Sequence, residues 1–109
     1  MDEKQRQILG RMLKEIDFIQ SEYAKAPDDS IENDPLFQRG ITMALLNIGE
    51  LANALDYDFY TAHDQIPWRR IIGLRNAVAH GYFDLDFDVI HSTVANDLPS
   101  LKSFLESAI

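Results

Sequence analysis

From Ile41 to Leu55 the apolar residues Ile41, Leu45, Ile48, Ala52 and Leu55 recur in alternating steps of four and three. That spacing keeps one apolar side chain per turn on a single stripe of an α-helix, and it is unlike the every-second-residue alternation of a half-buried strand. Such a stripe is buried by near-antiparallel neighbours carrying stripes of their own, so the rest of the chain has to supply more helices. It contains two more clear stripes. From Glu3 to about Ala24, Ile8, Met12, Ile16, Ile19 and Tyr23, with Leu9 and Leu13 alongside, leave one side polar, and Ala26-Pro27-Asp28-Asp29-Ser30 ends the run. Near the C-terminus Phe87, Ile90, Val94, Leu98, Leu101 and Leu105 repeat the pattern.

Punctuation places the ends. Asn33 and Asp34 are N-cap candidates before Pro35, whose missing amide costs nothing in a first helical turn. A third helix is expected to start at Pro67 and stop near Gly81, which can take the left-handed cap conformation. The last helix begins around Asp84 or Asp86, and Pro99 inside it predicts a kink or break before Leu101. Residues 56–65 are mixed, aromatic and acidic, with room for a short extra turn. No segment shows convincing period-two alternation. The expected fold is therefore all-α: an up-and-down bundle of four main helices with a short fifth, in one domain spanning residues 1–109.

Charge narrows the function. Eighteen acidic residues against ten basic give a net charge of −8, which argues against coating nucleic acid by electrostatics alone. Any contact with RNA has to be local, and Arg69, Arg70 and Arg75 fall within one short stretch. Arg69 and Arg70 read first as solvated helix-surface residues. No cysteine is present, which removes disulfides, thiolate metal sites and cysteine nucleophiles. His63, His80 and His91 are scattered, without paired histidines at helical spacing, so no metal or other cofactor is expected. His63 and His91 read as ordinary surface or half-buried residues. The N-terminal MDEKQRQILGRML is charged from its second residue and has no apolar run long enough for a signal peptide or membrane span. A soluble cytoplasmic protein is expected.

The third helix carries an anomaly. Unrolled at about 100° per residue, it gathers Trp68, Ile71, Ile72, Leu74, Val78 and Ala79 on one broad side, and Arg75 lands near the middle of that side. A guanidinium cannot shed its proton to escape burial, so it needs a carboxylate, carbonyls or an open cleft. Two arrangements meet that need: Arg75 pairs with an acid of the second helix such as Glu50, or snorkels to the rim; alternatively, it faces a cleft shared with a second subunit and awaits an anion. Asn76 and His80, four apart, share a flank, whereas Arg75 and His80, five apart, do not. His80 lies in the expected final turn, where exposed carbonyls favour an imidazolium, and Tyr82 lies just past the capping glycine.

The stretch IPWRRIIGLRNAVAHGYFDLD, residues 66–86, resembles the signature of the HepT-like toxins, part of the wider HEPN group of helical domains. The likeness rests on Pro67, Trp68, Ile71, Gly73, Arg75, Asn76, His80 and Tyr82, and extends to NIGELANAL in the second helix and NDLPSL in the last. Ala77 and Ala79 stand where bulkier residues are common. The resemblance implies a metal-independent endoribonuclease, the toxin of a type VII-like toxin–antitoxin pair, acting as a homodimer whose arginine–histidine motifs face one cleft. It assigns proton transfer to His80, stabilisation of phosphoryl charge to Arg75 and positioning to Asn76. Arg69, Arg70 and Glu50 are accessory candidates by their charge and position alone. It further implies an MntA-type nucleotidyltransferase antitoxin that silences the toxin by AMP transfer to Tyr82.

A different class of function uses the same residues. A helical module that docks a nucleotidyltransferase, with little nuclease activity of its own, also needs an arginine and a histidine to hold a nucleotide phosphate. Its acidic surface would suit a basic partner. A purely structural role, in which the polar motif only fixes dimer register, is the third reading.

Overall fold

The computed structural model of the chain describes residues 1–79 and 86–109, and of residues 77–79 only the backbone. Among the described residues every regular element is helical, as expected. Helix α1 spans Glu3–Lys25, α2 Ser30–Asn33, α3 Pro35–Asn53, α4 Tyr57–Ala62, α5 Trp68–Ala79, α6 Phe87–Ser92 and α7 Leu98–Ala108, with a π-helical turn at Thr93–Asp97 joining the last two. The long elements are α1, α3, α5 and the composite α6–π–α7, the four main helices of the bundle. Helix α3 is the hub, packed against α1 on one side and α5 on the other, and α7 closes on α1. No helix among the described residues is long and apolar enough to cross a membrane.

Local chemistry explains the ends. Asp2 caps α1 reciprocally, its carboxylate accepting from the Gln5 amide at 2.7 Å while the Gln5 side chain accepts from the Asp2 amide. Asp34 accepts from the amides of Leu36 and Phe37, with Pro35 following it as expected. Asp56 caps α4, the anticipated short extra turn, and Asp86 caps α6 through the amides of Asp88 and Val89. The alternative cap Asp84 and the expected stop at Gly81 lie outside the described residues. Helix α5 begins one residue later than expected: Pro67 supplies the carbonyl that accepts from the Ile71 amide, so it serves as the cap rather than the first helical residue. The four-residue α2 has no counterpart in the sequence reading, because so short a segment shows no period.

Pro99 acts upstream of itself. Its ring excludes the regular bond to the carbonyl of Ala95, and the chain widens over Thr93–Asp97 until the Leu98 amide donates to the Thr93 carbonyl five residues back. The break expected before Leu101 takes this form.

The core is made by the anticipated stripes. Leu9, Met12, Ile16 and Ile19 of α1, Ile41, Leu45, Ile48 and Ala52 of α3, Ile71 of α5, and Leu98, Leu101 and Leu105 of α7 are all buried. Leu55 is buried too, although α3 ends at Asn53 and Leu55 follows in a turn bonded to the Ala52 carbonyl. An aromatic cluster seals the end of the bundle near the start of α5. Trp68 packs edge-on to Phe59 at 5.7 Å and to Phe104 at 6.0 Å, and its indole donates to the His63 carbonyl at 2.9 Å. His63 packs between Phe59 and Phe104, a half-buried structural role.

Candidate active site

Gly49 decides where Arg75 sits. A β-carbon built on Gly49 would lie 2.7 Å from the Arg75 backbone nitrogen, 3.1 Å from its Cβ and 3.2 Å from the Ile71 carbonyl oxygen. Only a residue without a side chain lets α5 come so near to α3 here, and the nearest atom to that β-carbon belongs to the arginine. Arg75 thus emerges from the apolar side of α5 into the seam between the two helices. Its side chain is 33% exposed, and its Nη1 lies 3.7 Å from Oε1 of Glu50. That separation is within ion-pair range but longer than a charge-assisted hydrogen bond of about 2.7–2.9 Å, so Glu50 attracts the guanidinium without locking it. The Nε atom is buried and has no hydrogen-bond partner among the described residues. A strong donor left unmet in a buried position calls for an acceptor.

Of the arrangements open in the sequence, the intramolecular one is present: Arg75 reaches the rim of the seam and pairs with Glu50. Asn76 is exposed on the neighbouring flank of α5. His80 and Tyr82 lie outside the described residues.

The other two arginines separate. Arg69 is exposed and has no ion pair among the described residues, as its reading as a solvated residue requires. Arg70 is instead tied across to the π turn, its Nη2 bonding Oδ1 of Asp97 at 2.6 Å while the side chain stays 67% exposed. Between them and the π turn runs an open groove of ≈ 870 Å³, lined by residues that include Arg69, Arg70, Gly73, Leu74 and Asn96.

A smaller groove of ≈ 400 Å³ between α1 and α3 is lined by residues that include Arg11, Lys14, Glu15, Asn47 and Glu50. Asn47 donates to Glu15 across it at 3.3 Å. Arg11 and Lys14 were not singled out from the sequence, since they sit on α1 more than thirty residues from the glutamate they approach. Gly49 carried a signal that sequence reasoning missed: a glycine inside the most regular helix weakens it and needs a packing reason. Among the described residues no three histidine, aspartate or glutamate side chains gather as a metal site would require. His91, in α6, bonds Oε1 of Glu32 through Nε2 at 2.6 Å.

Comparison with known proteins returns one consistent picture. A family model described as "Ribonuclease HepT-like" matches residues 12–108. A protein of Caldanaerobacter subterraneus subsp. tengcongensis named "Putative RNase TTE0752" is 28% identical over 97 residues, covering 89% of this chain and 87% of that protein. "Probable ribonuclease HepT" of Thermococcus cleftensis is 38% identical over 73 residues, 67% of this chain and 66% of that protein. "Putative RNase MJ1380" of Methanocaldococcus jannaschii is 31% identical over 74 residues, 68% of each chain. No solved structure matches.

Proposed function

Since this chain belongs to the HepT-like ribonuclease family, we propose that it is a metal-independent endoribonuclease, with Arg75 and His80 as its catalytic pair and RNA as its substrate. The observation that carries the reading is a guanidinium planted in an apolar helix face where α5 closes on Gly49 of α3, with one buried donor unmet among the described residues, five residues before a histidine in the sequence.

The chemistry asks little else. His80 takes the proton from a ribose 2′-hydroxyl, the 2′-oxygen attacks the adjacent phosphorus, and the P–O5′ bond breaks as the 5′-oxygen takes a proton from water, to which the imidazolium returns the one it accepted, giving a 2′,3′-cyclic phosphate and a 5′-hydroxyl. Arg75 holds the charge that builds on the non-bridging oxygens, where a fixed donor is worth most. Asn76 positions the phosphate or the imidazole. A homodimer would set two such pairs around one cleft and double its basic charge, which lets an acidic protein hold RNA at one place only. In the cell, we read the protein as the toxin of a toxin–antitoxin pair. An MntA-type nucleotidyltransferase would silence it when the Tyr82 phenol attacks the α-phosphate of ATP and pyrophosphate departs.

One set of proteins tests this: wild type, His80→Ala and Arg75→Ala, each produced without any nucleotidyltransferase and checked by intact mass. Cleavage of RNA by the wild type, falling by about 10²–10⁴-fold in His80→Ala and about 10²–10³-fold in Arg75→Ala, is expected. Equal background in all three would sink the nuclease reading in favour of a docking module. Incubation with the nucleotidyltransferase and ATP should add AMP mass to the wild type and none to Tyr82→Phe.

A further inference from the structure

We infer that the groove between α5 and the π turn is a seat for single-stranded RNA, binding the strand a short way from the phosphate that Arg75 holds. Its substrate rests on the nuclease reading above, but its own evidence is separate. At ≈ 870 Å³ the groove is about twice the size of two others among the described residues, ≈ 410 Å³ between α1 and the start of α3 and ≈ 400 Å³ beside Glu50, and falls in the range of ligand sites.

Four features converge on it. Its lining carries two cations, Arg69 and Arg70, against one carboxylate, Asp97. Asp97 is committed to Arg70 at 2.6 Å, which fixes that guanidinium on the wall and leaves the Arg69 charge unpaired among the described residues, in a chain of net charge −8. The same end of the groove holds the first turn of α5: the Trp68 amide already donates to the Ile66 carbonyl at 2.8 Å, and those of Arg69 and Arg70, with no acceptor among the described residues, favour an anion. Gly73, in the groove's lining, has nothing among the described residues within 4 Å of where a β-carbon would stand. Unlike Gly49, it serves no close packing contact among the described residues, yet a glycine in a helix interior weakens that helix; close approach by a bound backbone is a reason to keep it.

The fourth feature is the opposite wall. The widened turn brings Ser92, Thr93, Asn96 and Asp97 to the groove, and π turns recur at functional sites. The Thr93 hydroxyl is already spent on the Val89 carbonyl at 2.8 Å, whereas among the described residues the Asn96 side chain only donates a long 3.4 Å bond to the Ser92 hydroxyl and keeps its Oδ1 for a base edge. Leu74 and Val89, the latter 51% exposed, offer apolar surface for a base face. Arg69 precedes Arg75 by six residues, about 9 Å along the helix axis, a distance that a short run of single strand covers. Two cations, a glycine in the lining, a free amide and an apolar ledge are what a nucleotide needs. A protein partner would have to bring a carboxylate for Arg69.

The test separates this seat from the nuclease reading by measuring binding and cleavage apart. In a His80→Ala background, the affinity for a short fluorescein-labelled single-stranded RNA of mixed sequence is measured by anisotropy for Arg69→Ala, Gly73→Gln and Asn96→Ala. Gly73→Gln is the key variant, because glutamine is a good helix former pointing into open space, so its melting temperature should rise or hold while affinity falls roughly tenfold. Arg69→Ala should also lower the salt slope of binding by about 0.7. Unchanged affinity in Gly73→Gln and Arg69→Ala overturns the seat. So does unchanged RNA affinity with a changed oligomeric mass by light scattering, which would make the groove a protein interface. If the groove variants weaken binding while the wild type with His80 intact cleaves nothing, the seat stands and the nuclease reading falls.

Discussion

A single methyl group on Gly49 would stand 2.7 Å from the Arg75 amide nitrogen, and neither atom behind that contact is a flexible side chain. Gly49→Ala must therefore push α5 away from α3. The expected cost is about 1–3 kcal/mol in thermal or denaturant unfolding, with RNA cleavage falling further than stability alone explains. Tyr23 presents the opposite case. Its ring packs on Phe37 at 5.2 Å, but its hydroxyl is buried without a partner among the described residues. Burial, and then the Glu32 carboxylate, push its pKa up from 10.0 to about 12. The folded state holds the phenol neutral while the unfolded chain releases its proton near pH 10, so stability intact below pH 10 is lost as pH climbs toward 12. Tyr23→Phe should remove that alkaline loss and raise stability at neutral pH by about 1 kcal/mol, seen as a higher melting temperature.

Elements are held by their caps as much as by their stripes. Asp34 accepts from two amides of α3, 3.0 Å from Leu36 and 3.2 Å from Phe37, and Asp34→Ala should cost about 0.5–2 kcal/mol by urea unfolding. That cap, the proline after it and the cap at Asp86 were all legible in the sequence, because an aspartate before an apolar run states its own geometry. So were the stripes of α1 and α3, whose periods run for several turns. Helix α2 was not legible, since four residues have no period. The π turn was visible only as trouble at Pro99, because the sequence shows where a regular bond is lost but not how the chain recovers it. The position of Arg75 on an apolar face, and Glu50 as its partner, were readable from helical angles. The closeness of Gly49 was not, nor were Arg11 and Lys14 beside Glu50, because those relations exist only between helices.

At the scale of the whole molecule, net charge sets how RNA can be met. A surface with eighteen acids repels a polyanion except where cations outnumber them, and the described structure offers that chiefly along α5. With phosphate contacts from Arg69, Arg70 and Arg75, the affinity of the His80→Ala protein for single-stranded RNA should fall with salt with a log–log slope of about −2 per protomer. Titrations from low to moderate potassium chloride measure it. A slope several times steeper would mean that RNA crosses much more of the surface than this site.

The widened turn at Thr93–Asp97 amounts to one residue more than the helix needs. The Leu98 amide already reaches Thr93, so a chain shortened by one residue between them would make the same bond as an ordinary helical one. Leu98, Leu101 and Leu105 would keep their phase against the core. Pro99 is the only obstacle, and Ala95 deleted together with Pro99→Ala should give a protein that folds as a continuous last helix. What would vanish is the outward bulge that carries Asn96 and Asp97, so the deletion strips a binding wall from a scaffold left in register. The surplus residue belongs to what the molecule does and not to how it stands up.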